Sequence, residues 1–194
     1  MRLDDSKELA QFVAELSRET DRGLALVGAA LIDEKLRDTL ESFFCEGTSA
    51  SKLLDGGYAP IGTFSARIQL CYSLGLIDEQ EYREISLVRK VRNEFAHSKH
   101  GISFQTERIR GFCATFTSDL PDDADYDVSN SRFRFTNAVV CITLRLYYRP
   151  EWVAKERREP KTWVEPDAVR WRSFDEEKPP DGKPVMVIAK RKKD

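Results

Sequence analysis

No apolar run in this chain approaches the roughly 20 residues that a membrane-spanning helix needs, and Met1-Arg2-Leu3-Asp4-Asp5 lacks the apolar core of a secretory signal. A cytoplasmic protein with no membrane contact is the expectation. Histidine is scarce, His97 and His100 being the only two, and no Cys-x-x-Cys pair occurs among Cys45, Cys71, Cys113 and Cys141. Each cysteine sits beside apolar or aromatic residues. These features argue against a metal site or a disulfide framework and predict buried, reduced thiols. No Gly-x-x-x-x-Gly-Lys-Ser/Thr or Gly-x-Gly-x-x-Gly loop is present to cradle a nucleotide, so no cofactor is expected. Basic charge is not in excess: 31 Lys and Arg stand against 33 Asp and Glu, a formal net charge of −2. That balance argues against wholesale coating of nucleic acid, though not against a local basic groove.

What is present is helical periodicity over the first 150 residues. Leu9, Phe12, Val13 and Leu16 follow an Asp5-x-x-Glu8 capping spacing. A longer segment from Asp21 to Phe44 carries Leu24, Val27, Leu31, Leu36, Leu40 and Phe43. Its first half is crowded with Gly23, Ala25, Gly28, Ala29 and Ala30, small residues that let a neighbour approach, so it is expected to be the central helix of a bundle. Residues 45–60, with Gly47, Gly56, Gly57 and Pro60, read as a loop holding a short helical turn at Lys52-Leu53-Leu54. A third helix spans about Gly62–Leu74 and is ended by Gly75. Asp78 and Glu81 repeat the capping spacing and open a fourth helix, with Ile85, Val88, Val91 and Phe95 inward. Phe104–Phe116 and Phe133–Tyr148 complete the helices, with Pro150 as the stop. Five aspartates in residues 118–131 lack the order and the closing glutamate of a calcium loop and read as solvated.

Composition shifts after Pro150. Six of the eight prolines and all three tryptophans lie in residues 150–194. Val185-Met186-Val187-Ile188 reads as a short strand able to pair near Trp171 across the Pro-Pro-Asp-Gly turn. The expected organisation is a helical bundle domain over 1–149 and a Pro/Trp-rich charged extension over 150–194. The tryptophans are expected to anchor that extension to the bundle, and Lys190–Lys193 to be a solvated terminus.

The candidate site is Val91-Arg92-Asn93-Glu94-Phe95-Ala96-His97-Ser98. An arginine that stabilises phosphate charge and a histidine that moves a proton suit metal-free phosphoryl chemistry. The same residues equally suit a polar clamp, with Arg92 paired to Asp33 or Glu34 and His97 capping the helix C-terminus. Residues five apart on a helix are rotated by about 140°. Arg92 and His97 therefore share a face only if the helix ends near Ala96, or converge across a dimer axis.

Three blocks then carry a resemblance: Asp21–Ala25 through Leu31–Leu36; Leu53-Leu54-Asp55-Gly56-Gly57-Tyr58-Ala59-Pro60-Ile61-Gly62-Thr63-Phe64-Ser65-Ala66-Arg67-Ile68; and Leu74–Ile77 leading into Arg92–His97. Their order and wording resemble the mannitol operon repressor family over roughly residues 5–148. The resemblance implies an all-helical protein linked to transcriptional repression through protein partners, without a DNA-reading module. Arg92, Asn93 and His97 also resemble the Arg-Asn-x-x-x-His motif of the HEPN superfamily, whose members often dimerise and include metal-independent endoribonucleases. That resemblance implies catalysis by Arg92, Asn93 and His97 on RNA as substrate; Asp33 or Glu34, on the central helix, is the expected support, fixing the histidine's tautomer or pairing with Arg92.

The expectation is thus an all-α multi-helix bundle with a C-terminal extension of minor β structure. It would regulate transcription as a repressor through a protein partner or as a homodimer, with direct DNA binding not expected for want of a basic recognition helix. The alternative is a toxin-like ribonuclease of the HEPN type.

Overall fold

The computed structural model describes residues 3–118 and 129–163, and of residues 3–6, 8 and 9 the backbone alone. The Val185–Ile188 strand with Trp171, the Lys190–Lys193 terminus, the aspartates of 119–127 and the side chains of the Asp5/Glu8 cap lie outside the described residues. The chain divides into two units, Met1–Glu159 and Pro160–Asp194. All the helices described below belong to the first.

They are α1 (Leu3–Arg18), α2 (Asp21–Phe43), α3 (Thr48–Leu54), α4 (Phe64–Ser73), α5 (Glu79–His97), α6 (Glu107–Ala114), α7 (Ser131–Tyr147) and α8 (Arg149–Val153), followed by a 3-10 turn at Ala154–Glu156. The described residues are all-α, and no strand occurs among them. No helix among them is long and apolar enough to cross a membrane.

The helix starts are chemical. Thr20, Thr63 and Asn130 each accept a hydrogen bond from a backbone N–H three residues on, and Asp78 with Glu81 forms a full capping box. Such caps satisfy amides that have no partner within the helix. Gly75 closes α4 with φ +70°, a left-handed conformation that suits glycine.

The axis of the unit is α2, packed against α4, α5, α7 and α8. Leu24, Ile32, Leu36 and Leu40 are fully buried along it. Gly28 explains the close approach of α7, because a β-carbon there would sit 3.1 Å from Val139 Cγ2. The small residues of α2 therefore do what their pattern predicts. Around this axis Phe95, Phe104, Phe135 and Phe116 follow one another as tilted and T-shaped ring pairs, with centroids 5.0, 5.3 and 6.2 Å apart in turn. Offset pairs of this kind add to burial of roughly 1.5–3 kcal/mol per large apolar side chain.

Several expectations are corrected. Residues 48–54 form a whole helix, α3, rather than a turn within a loop, because Leu54 inserts into the core at 1% exposure. The fifth helix is shorter than Phe104–Phe116. Ser103 N–H donates to Thr106 Oγ1 and Thr115 Oγ1 donates to the Phe112 carbonyl, so local side chains take the backbone out of the helix at both ends. Pro150 is not only a stop: it lies in the first turn of α8, where its missing N–H costs nothing. Only Cys71 and Cys113 are buried, while Cys141 is half-buried and Cys45 exposed.

Tryptophan is not what fastens residues 149–159. Trp152 is 55% exposed, and in the second unit Trp163 is 85% exposed. The anchors are arginines. Arg157 donates to the Ser42 carbonyl (2.8 Å) and to Glu46 (2.6 Å), and Arg149 donates to the buried Glu81 and to the Leu76 carbonyl.

Candidate functional site

The α5 helix carries the candidate residues and is fixed at both ends. At its start the Asp78–Glu81 capping box is continued by Arg149, whose guanidinium grips both Glu81 oxygens at 2.6 and 3.2 Å. Glu81 is 2% exposed, and the bidentate geometry offsets the cost of burying its charge. At its end Arg22 of α2 donates to the Ser98 carbonyl at 2.6 Å. Arg22 thus binds the carbonyl of the C-cap residue, and His97 lies in the last turn. Asp21, next to Arg22 in the chain, accepts from Phe104 N–H (3.0 Å) and pairs with Arg132 of α7.

Between these ends Ile85, Val88, Val91 and Phe95 are buried, as their spacing predicts. Arg92 and His97 are exposed and Asn93 is half-buried. Arg92 Nη1 donates to Asn93 Oδ1 at 3.1 Å. The helix continues through His97, so Arg92 and His97 stand five positions apart on regular helix, turned by about 140° from one another. One chain therefore does not bring them onto one face.

The two acidic supports part company from Arg92. Asp33 belongs to Arg67 of α4, with Nη1 2.9 Å from Oδ1. This contact is an ion pair whose angle falls short of a hydrogen bond. Glu34 is exposed, and no ion pair joins it to Arg92 among the described residues. The physical reason is competition. Arg67 is held by the Ile61 and Leu54 carbonyls, both at 3.1 Å, at 9% exposure, and so sits where Asp33 points.

Arg67 and Arg37 together organise the segment between α3 and α4. Arg37 grips Asp55 through two 2.8 Å hydrogen bonds and reaches Glu41 at 2.9 Å. The Arg37 hydrogen bonds hold the Asp55 carboxyl below the usual carboxylate range, and Asp55 in turn raises the arginine. Tyr58 stands fully exposed at the tip of this doubly pinned loop. Sequence reasoning singled out neither arginine as a clamp. The signal was an arginine inside an apolar helix stripe, which must find acceptors when buried.

The outer face of α5 floors an open groove of about 740 Å³ between α4 and the segment after α6. Ser65, Gln69, Leu87, Arg89 and Lys90 are among its walls, whereas Arg92, Asn93 and His97 are not. Glu84, 3% exposed, lies at its edge and accepts from Thr117 N–H (2.6 Å), Thr117 Oγ1 (3.0 Å) and Ser118 Oγ.

Comparison with known proteins places these features. A family model described as "MtlR: Mannitol repressor" matches residues 11–122. The mannitol operon repressors of Escherichia coli K12 and of Escherichia coli O6:H1 are each 31% identical over 98 residues, 48% of this chain and 50% of theirs. The matched stretch thus spans about half the length of these curated relatives. Among solved structures, the MtlR–HPr complex from Escherichia coli aligns with a TM-score of 0.50 at 23% identity, covering 75% of this chain and 98% of that one. At that identity the likeness concerns the fold.

Proposed function

This chain belongs to the mannitol repressor family, and on that premise we propose that it is a repressor-type transcriptional regulator acting through protein–protein contacts in the cytoplasm. The observation that carries the reading is the family match itself. Residues 11–122 include α2, α4 and α5 together with the Arg67 clamp, the pinned Tyr58 loop and the α5 groove. A scaffold held by buried arginines presents surface side chains in fixed positions, which lowers the ordering cost of binding a partner. Because a relative in the family was solved bound to HPr, an HPr-type protein is the first partner to try. Two measurements test the reading. Titration calorimetry of the full chain with HPr should give saturable heat, and disruption of the gene should raise expression of a mannitol-operon reporter in the native host. No heat and an unchanged reporter would sink it.

A second reading rests on one observation. Arg92 and His97 are solvent-exposed and not spent on an acidic partner among the described residues. As a metal-independent ribonuclease, the chain would use Arg92 and Asn93 at the phosphate and His97 as the proton carrier, in a site composed from two chains. Cleavage of an RNA pool in EDTA that vanishes in His97→Ala, with the fold intact, is the expected result. Equal cleavage by both proteins, or none, would remove it.

A further inference from the structure

We propose that the groove over α5 binds an acidic polypeptide segment of the protein partner, an inference that rests on the protein-contact reading above. The argument is one of charge and lining. The groove contains two carboxylates, and both are already satisfied: Glu79 pairs with Arg83 one turn on, and Glu84 holds three donors from Thr117 and Ser118. Arg89 and Lys90 also line it, and neither has a carboxylate partner among the described residues. Lys90 leans over the Phe112 ring, 5.8 Å from its centroid. One turn further, Arg92 bonds only to the neutral Asn93 among the described residues. The local balance is therefore positive on a chain whose formal net charge is −2.

The rest of the lining favours a polypeptide over a nucleic acid. Leu87 supplies apolar floor, and Ser65, Gln69 and Ser86 supply neutral donors and acceptors along the groove. Tyr82, an aromatic ring of this groove, is stacked on Tyr72 at 4.4 Å and accepts a hydrogen bond from Gln69 Nε2 at 2.8 Å, so that one ring face is already occupied. Single-stranded nucleic acid binds on free aromatic platforms with an extended basic track. Two or three cations beside an apolar floor instead match a short acidic segment carrying apolar side chains. A volume of about 740 Å³ suffices for several such side chains.

The test uses the full chain and a fluorescein-labelled Glu/Leu peptide, followed by anisotropy at low and physiological salt. Arg89→Glu with Lys90→Glu should weaken binding by on the order of tenfold or more, because reversing the charge adds repulsion to the lost attraction. Lys52→Glu, on the exposed face of α3, should leave it unchanged. Circular dichroism confirms that each variant is folded. Equal binding by all three proteins, or no binding by the wild type, overturns the proposal. So does preferential capture of poly(U) RNA through Arg89 and Lys90. Self-association in sedimentation that disappears in the same variant also overturns it, by making a second copy the occupant. If the double variant still binds HPr and still represses the reporter, the protein-contact reading survives and this groove alone is excluded.

Discussion

Arg67 Nη1 lies 2.9 Å from Asp33 Oδ1, while the remaining nitrogens of the same guanidinium donate to the carbonyls of Leu54 and Ile61. One side chain thus closes α2, the end of α3, the Tyr58 loop and α4 into a single network. Only a planar, multiply donating cation can do this, since the three acceptors lie in different directions.

Replacing it tests that claim. Arg67→Met is expected to cost about 3 kcal/mol, because it strands the half-buried Asp33 charge and leaves two carbonyls without their donor. Arg67→Lys should recover only part of the loss. Urea unfolding monitored by circular dichroism reads both. A shift of Arg67→Met within error would mean that the clamp forms without contributing to stability.

Two glycines should respond oppositely to an added side chain. Gly111 lies in α6 with open space around its would-be β-carbon, so Gly111→Ala should stabilise by about 0.5–1 kcal/mol through helix propensity. At Gly28 the added atom meets Val139 at 3.1–3.2 Å. Gly28→Val is expected to destabilise by about 1–3 kcal/mol through overpacking, and Val139→Ala in the same chain should relieve part of it. Thermal melts of the three variants against wild type decide.

Thiol reactivity should divide by burial. Desolvation pushes the Cys71 and Cys113 thiols up to about 12, so the thiolate is nearly absent at pH 8. Cys45 is exposed. Maleimide labelling of the native protein at pH 8 should therefore modify Cys45 rapidly, and Cys71 and Cys113 only after denaturant is added. Rapid native labelling of Cys71, read by peptide mass, would show that the core between α2 and α4 opens readily.

The Arg37–Asp55 pair predicts a pH dependence with a definite sign. Hydrogen bonding to Arg37 lowers the Asp55 carboxyl in the folded state. Its contribution is fully present above the ordinary carboxylate value of about 4 and is lost as pH falls through the lowered one. Asp55→Asn should thus narrow the stability difference from wild type steadily below about pH 4. Melting temperatures measured from neutral to strongly acid pH give the comparison, and a difference that stays constant into acid would contradict the assignment.

The helices were legible because their signals are local. The Asp78-x-x-Glu81 spacing announced a capping box, and Ile85, Val88, Val91 and Phe95 announced the buried face of α5. The small residues of α2 announced a close neighbour, though not that Val139 of α7 would be the side chain there. The blocks that carry the family resemblance were also readable, and their physical sense emerges in three dimensions. Asp21 contacts Arg132, Arg22 the Ser98 carbonyl, and Asp33 contacts Arg67, which also holds the Ile61 carbonyl; these polar contacts tie α2 to α4, α7 and the end of α5.

Pairing was not legible. Asp33 was a reasonable partner for Arg92 by charge alone, and it went to Arg67 because two carbonyls fix that guanidinium beside it. Over residues 149–159 Trp152 looked like an anchor by hydrophobicity, and the work fell to Arg149 and Arg157, whose forked donors reach carbonyls and carboxylates that no pattern reveals. The sequence by itself determined the helical class, the inward face of α5 and the family, since these depend on spacing along one chain. Tertiary structure alone decided which charges neutralise one another, and so which cations along α5 remain available to a partner, because that depends on distances between segments remote in sequence.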